Sequence, residues 1–383
     1  MSKKRKGIKT NGTIVVKVGS RTLTHETGKL NLRMMEKLVR ELADLKNQGC
    51  QVILVTSGAV AAGIGRLGLA NKPQTIPEKQ AVAAVGQGLL IQMYEKLFSE
   101  YGLVIAQVLL TRDDFHDRKR YLNSRNTLQA LLQYGAIPVI NENDTVAVEE
   151  IEFGDNDSLS ALVASLLDAD LLVLLTDIGG LYSANPKLEP EAKLIDKVEK
   201  ITPEIKKLAG DSDEALATGG MITKLMAAEI ATNSGVPMII ANGKEPHVLQ
   251  RLLEGEKIGT FFSARKKSLE SRKRWIAYGQ IPHGRLIIDE GAAEAVLNEG
   301  KSLLPSGIMA VYGSFEQGEM VSIEDQEGEE VARGLVNYNS RELRRIRGLH
   351  TDEAAGLLQR ECGEAVHRNN MVVNNNREGK LNE

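Results

Sequence analysis

From residue 13 onward the chain alternates short apolar runs with longer stretches of helical periodicity, the pattern of strands and crossover helices in a mainly parallel α/β sheet. The apolar runs predict strands at 13–18, 51–56, 104–110, 137–140, 171–175 and 237–241. Leu171-Leu-Val-Leu-Leu175 is apolar at every position, which predicts a strand covered on both faces. Amphipathic segments lie between the strands. Met35, Leu38, Val39, Leu42 and Leu45 fall at helical spacing within 32–46, and similar patterns predict helices across 82–98, 124–134, 158–167 and 222–234.

The character changes near Phe262, where a basic run, Arg265-Lys-Lys-Ser-Leu-Glu-Ser-Arg-Lys-Arg274, precedes the single tryptophan, Trp275. Beyond it the apolar segments are short and separated by Gly and Asp/Glu turns, predicting strands at 284–289, 308–315, 320–324 and 331–336 and one helix at 291–298. These shifts divide the chain into a large α/β domain at 8–262, a linker at 263–281, a small β-rich domain at 282–360 and a tail at 361–383. From Asn369 the tail is Asn-rich and polar, the composition of a poorly ordered terminus.

Composition narrows the class without naming a chemistry. With 383 residues, 42% of them hydrophobic, the chain can bury a large core. A net charge of −3 argues against a protein dominated by phosphate-backbone binding. Cys50 and Cys362 are the only cysteines and carry no metal-ligand spacing, which speaks against a disulfide framework or a zinc site and fits a reducing cytoplasm. The basic N-terminus lacks an apolar signal core, and no segment approaches the ~20 apolar residues of a membrane helix.

Six motifs carry candidate chemistry. Val15-Val-Lys-Val-Gly-Ser20 ends a strand on Lys17 before a small-residue loop, where a lysine can reach a phosphate while the amides of Gly19 and Ser20 approach its oxygens; a plain strand-end lysine is the alternative. Val55-Thr-Ser-Gly-Ala-Val-Ala-Ala-Gly63 runs a strand into a turn that opens a helix, an anion site to which Ser57 adds a hydroxyl. Asn141-Glu-Asn-Asp-Thr145 and Phe153-Gly-Asp-Asn-Asp-Ser158 cluster amides and carboxylates able to hold an amino acid, though they are also ordinary turn residues. Thr176-Asp-Ile-Gly-Gly180, at a strand's carboxyl end, and the glycine turn Thr218-Gly-Gly-Met-Ile-Thr-Lys224 are candidate nucleotide contacts.

In this order, the motifs resemble the amino-acid kinase family, and Asp289-Glu-Gly-Ala292, Ser302-Leu-Leu-Pro-Ser-Gly-Ile308 and Gly318-Glu-Met-Val321 look like a PUA domain. The resemblance implies a three-layer α-β-α sandwich with a PUA-like domain appended, and ATP-dependent phosphorylation of the L-glutamate side chain to L-glutamyl 5-phosphate, the first step of proline biosynthesis. It implies catalytic roles for Lys17, Lys224 and Asp157, the aspartate orienting the two lysines. Ser57, Asp144 and Asn156 would hold the substrate. Lys17, Thr176, Asp177, Thr218, Gly219, Gly220, Met221, Ile222, Thr223 and Lys224 would hold ATP. Mg²⁺ would ride on the phosphates with no protein ligand assigned, proline would inhibit, and the enzyme would be a cytoplasmic homo-oligomer. The competing expectations are a kinase of N-acetylglutamate, aspartate or carbamate, and an RNA-binding protein using Arg341, Arg344, Arg345 and Arg347. The Asp144 and Asn156 clusters favour a free α-amino group, since an acetylated one offers no ammonium.

Overall fold

The computed structural model describes residues 12–25, 29–146, 156–186, 188–209, 220–264, 282–360 and 362–373. The chain divides into two compact units, residues 1–114 with 119–268 and residues 115–118 with 269–383, each with its own hydrophobic core.

The first unit is an eight-stranded sheet built from β1 (Thr13–Val18), β2 (Gln51–Val55), β3 (Ile105–Leu110), β4 (Ile137–Glu142), β5 (Leu171–Thr176), β6 (Lys197–Val198), β7 (Met238–Asn242) and β8 (Thr260–Phe262). Its order is β3-β4-β2-β1-β5-β7-β8-β6. Every neighbouring pair is parallel except β7–β8, so β8 and β6 close one edge against the common direction. The six predicted strands are present; the two missed ones, β6 and β8, are only two and three residues long. All six residues of β5 are buried, as the unbroken apolar run requires.

Alternation along β1 sorts the layers. Ile14, Val16 and Val18 join a core made with residues of the Leu32–Asn47, Ile76–Ser99 and Val248–Leu253 helices. Val15 and Lys17 have the opposite parity, and the Asn156–Leu166 helix packs against β1 and against the Met221–Asn233 helix. The Asn156–Leu166 helix is buried at every position from Asp157 onward, unlike a half-exposed surface helix.

The Ile76–Ser99 helix begins six residues before the predicted start at 82. Thr75 Oγ1 accepts from the Glu78 amide and Glu78 Oε2 accepts from the Thr75 amide, a capping box with Pro77 in the first turn. Residues 59–67 form a separate helix beside it, and the two backbones meet at glycine. A Cβ on Gly86 would stand 1.7 Å from the Ala59 carbonyl oxygen, and one on Gly63 would stand 1.9 Å from that of Val82.

The second unit is a five-stranded sheet ordered β10-β9-β11-β12-β13, from β9 (Gly284–Ile288), β10 (Ile308–Gly313), β11 (Met320–Glu324), β12 (Glu330–Val336) and β13 (Val366–Val373). Only β9–β11 is parallel. β13 corrects the expectation of a poorly ordered stretch from Asn369: Met371 and Val373 pair with Gly334 and Ala332 of β12, because Val366 and Met371 have apolar partners to bury against. Residues 374–383, and most of the expected linker, lie outside the described residues. Among the described residues, no helix is long and apolar enough to cross a membrane.

Candidate active site

The carboxyl ends of β1, β2, β4 and β5 lie level in the sheet. Lys17 pairs with Val55 and Leu174, Val55 pairs with Ile140, and the residues just beyond are Thr56, Asn141 and Thr176. Ligands of parallel sheets collect along this edge.

At its centre Asp157 joins two lysines. Lys17 Nζ donates to its Oδ1 at 2.5 Å and Lys224 Nζ to its Oδ2 at 3.2 Å, while the Thr223 hydroxyl donates to Oδ2 at 3.0 Å. The aspartate is 1% exposed, Lys17 8% and Lys224 5%, so these charges are far less screened than a surface pair. Burial pushes the Asp157 carboxyl up, but the Lys17 and Lys224 ammonium groups outweigh it and hold the pKa at about 2, against 3.8 for an ordinary aspartate. Two cations share one anion, leaving a local excess of positive charge. Both lysines sit in regular elements, Lys17 within β1 and Lys224 in the first turn or so of its helix.

Among the described residues, three helix N-termini in this region begin on glycine and lack a side-chain cap: Gly19 before Ser20–Leu23, Gly58 before Ala59–Leu67 and Gly220 before Met221–Asn233. Helices starting at Leu32, Ile76, Pro203, Glu290 and Ser340 are instead capped by Asn31, Thr75, Thr202, Asp289 and Asn339. An uncapped first turn leaves amides for an incoming anion. Gly58 also has φ of 104°, which disfavours any residue bearing a Cβ.

Beside the lysines lies an amide and hydroxyl cluster. Asn156 Nδ2 stands 3.1 Å from the Thr56 carbonyl oxygen, 3.0 Å from Ser57 Oγ and 3.1 Å from Asn141 Oδ1. Asn156 Oδ1 is buried and has no hydrogen-bond partner among the described residues. Asp144 is half-buried two residues beyond β4. On the other side Thr176 ends β5 and donates its hydroxyl to Asp177 Oδ1 at 3.1 Å, and Arg21 Nη1 lies 3.7 Å from Asp177 Oδ2. Burial pushes the Asp177 carboxyl up, but the Thr176 hydrogen bond and the Arg21 charge bring it below its usual value.

The structure thus brings Lys17, Asp157, Thr223 and Lys224 into one contact network, and Ser57 and Asn156 into another. Gly220, Met221 and Ile222 open the helix that carries Lys224. Thr218 and Gly219 lie outside the described residues. Asn141 and Arg21 were not singled out by sequence reasoning. Asn141 stood inside a quoted motif, whereas an exposed arginine two residues past a glycine gives no signal at all.

Residues 12–242 match the amino acid kinase family and residues 284–358 match the PUA domain. The chain is 57% identical to glutamate 5-kinase of Moorella thermoacetica over 94% of its own length and 96% of that protein's. It is 56% identical to glutamate 5-kinase of Caldanaerobacter subterraneus subsp. tengcongensis, covering 94% and 97%, and 53% identical to that of Synechococcus sp. strain JA-3-3Ab, covering 95% and 99%. A parallel sheet with paired lysines at its carboxyl edge and likeness to these relatives over nearly the full length lead to one conclusion: the chain belongs to the amino acid kinase family, with a PUA domain following its kinase domain.

Proposed function

We propose that this chain transfers the γ-phosphoryl group of ATP to the side-chain carboxylate of L-glutamate, giving L-glutamyl 5-phosphate and ADP, and so starts proline biosynthesis. The observation that carries this reading is the pairing of a two-lysine anion site with a separate amide site, in a chain more than half identical to three proteins named glutamate 5-kinase.

A glutamate side chain of pKa ≈ 4.3 is ionised at neutral pH, so the reaction needs no general base. It needs an anion brought in line with a polyanion. Lys17 and Lys224 neutralise the β- and γ-phosphates, and Asp157 keeps both ammonium groups on the same side of the transferring group. Amides of the glycine-started helices receive charge spreading over the phosphoryl oxygens. Thr176 and Asp177 form the nucleotide rim with the 218–224 turn. Ser57, Asp144 and Asn156 hold the amino acid, the orphaned Asn156 Oδ1 suiting an ammonium donor.

Asp157 accepts from two lysines and a threonine, and no cluster of three metal-ligating side chains occurs among the described residues. That donor set suits a Mg²⁺ carried on the phosphates, where it supplies further charge neutralisation. Proline is the expected inhibitor, and the enzyme a homo-oligomer.

Hydroxylamine converts an acyl phosphate to a hydroxamate, so trapping with MgATP ranks the acceptors. Glutamate is expected to give more product than aspartate or N-acetylglutamate; a stronger signal from N-acetylglutamate would reject the reading.

A further inference from the structure

We infer that Gln87 is a positioning residue for the amino-acid substrate, acting at a distance through Asn141 and Asn156. The inference rests on the placement of the amino acid beside Asn156.

The hydrogen bonds fix the direction of each amide in turn. The Thr56 carbonyl oxygen can only accept, so the Asn156 group facing it at 3.1 Å is the NH₂. The same NH₂ faces Asn141 at 3.1 Å, so Asn141 presents its Oδ1 there and turns its own NH₂ away. That NH₂ donates to Gln87 Oε1 at 2.8 Å. The Thr56 carbonyl sets the Asn156 amide, and at the other end Gln87 Oε1 holds the Asn141 NH₂ so that Asn141 Oδ1 stays on Asn156. The consequence at the site is that Asn156 keeps its NH₂ on these partners and its Oδ1 as a buried acceptor with no donor among the described residues. A buried acceptor left empty is costly, and an ammonium N–H would satisfy it.

The fold places Gln87 deliberately on this path. Ala83, Leu90, Tyr94 and Phe98 form the buried stripe of the Ile76–Ser99 helix, and Gln87 stands in the same stripe at helical spacing. Two turns further along, Tyr94 shares a 2.8 Å hydrogen bond with the Thr56 hydroxyl, so the helix meets the site at two polar points. Gly86 lets the helix lie against the Ala59 carbonyl, bringing Gln87 within reach of Asn141. A glutamine used only to fill space in an apolar stripe would lose side-chain entropy without return.

The test compares Gln87→Leu, which keeps the volume and removes the acceptor, with Gln87→Glu, which keeps the acceptor. Both are assayed in the full chain with MgATP and whichever acid the wild type phosphorylates best, so failure of the glutamate assignment is read from the wild type alone. Gln87→Leu is expected to raise KM for the acid about fivefold to tenfold, the scale of one lost hydrogen bond, with KM for ATP within about twofold. Gln87→Glu is expected to stay within about threefold of wild type in both. Equal damage from both substitutions, an unchanged acid KM in Gln87→Leu, or an equal rise in the ATP KM would overturn the inference. Should Gln87→Leu not fold, Asn141→Asp alone and combined with Gln87→Glu carries the test. The single variant leaves Gln87 free to turn its NH₂ to the new carboxylate. The double variant sets two carboxylates face to face and is expected to bind the acid worse than either single variant, with recovery on lowering the pH; additive behaviour with no pH dependence would overturn the inference.

Discussion

The two lysines and the aspartate between them have different consequences when removed one at a time. Lys17→Ala leaves Asp157 paired with Lys224 and Thr223, and Lys224→Ala leaves it paired with Lys17. Each is expected to fold and to lose at least about 10²-fold in kcat, the scale for deleting one preorganised stabilising group; near-normal turnover in either folded variant would remove its assigned role. Asp157→Asn instead takes the carboxylate away from two buried ammonium groups and is expected to cost about 3–5 kcal/mol of stability in urea denaturation, the range for breaking a buried pair from one side. The carboxyl also gives a pH signature. Its folded pKa, about 2, lies below the unfolded 3.8, so its contribution is fully present above about pH 4 and is lost as pH falls toward 2. Wild type is expected to lose stability over that window and Asp157→Asn to lose less; parallel acid titrations of the two would contradict this.

At the scale of elements, the site depends on how closely the Ile76–Ser99 and Ala59–Leu67 helices approach. Gly86→Ala gains about 1 kcal/mol of helix propensity in an isolated helix. Against that, its Cβ would meet a backbone oxygen at 1.7 Å, and backbone cannot yield by changing rotamer. Overpacking of this kind costs about 1–3 kcal/mol or more, so the clash wins. The expected result is a net loss of about 2 kcal/mol, together with a raised KM for the amino acid, because separating the helices withdraws Gln87 from Asn141. A variant as stable as wild type would show that the helices adjust without cost.

The whole molecule carries its chemistry in the first unit. Every candidate site residue lies between Lys17 and Lys224, and the second unit closes its own core around Leu286, Ile288, Val321, Ile323 and Val336. A fragment of residues 1–274 is therefore expected to fold and to phosphorylate glutamate. Its response to added proline is the measurement that reveals whether the PUA domain biases an inhibitor-sensitive state. A soluble, monodisperse fragment with no turnover would make the second unit part of the catalytic machinery.

The order of strands and helices follows from the sequence because burial imposes a period on each segment: β5 had to be covered on both faces, and the 32–46 stripe had to face a core. The short strands β6 and β8 and the polar strand β13 escaped, since two or three residues carry no period and asparagines in β13 mask its apolar partners. Lys17, Asp157 and Lys224 could be marked as chemistry-bearing by strand ends and glycine turns, but their meeting is a tertiary fact. It joins residues 140 and 67 positions apart through the parity of β1 and the packing of two helices on one face. The chain from Gln87 to Asn156 was not legible at all. A glutamine in an apolar stripe has no distinct pattern, and the close helix packing at Gly86 is what sets it against another amide.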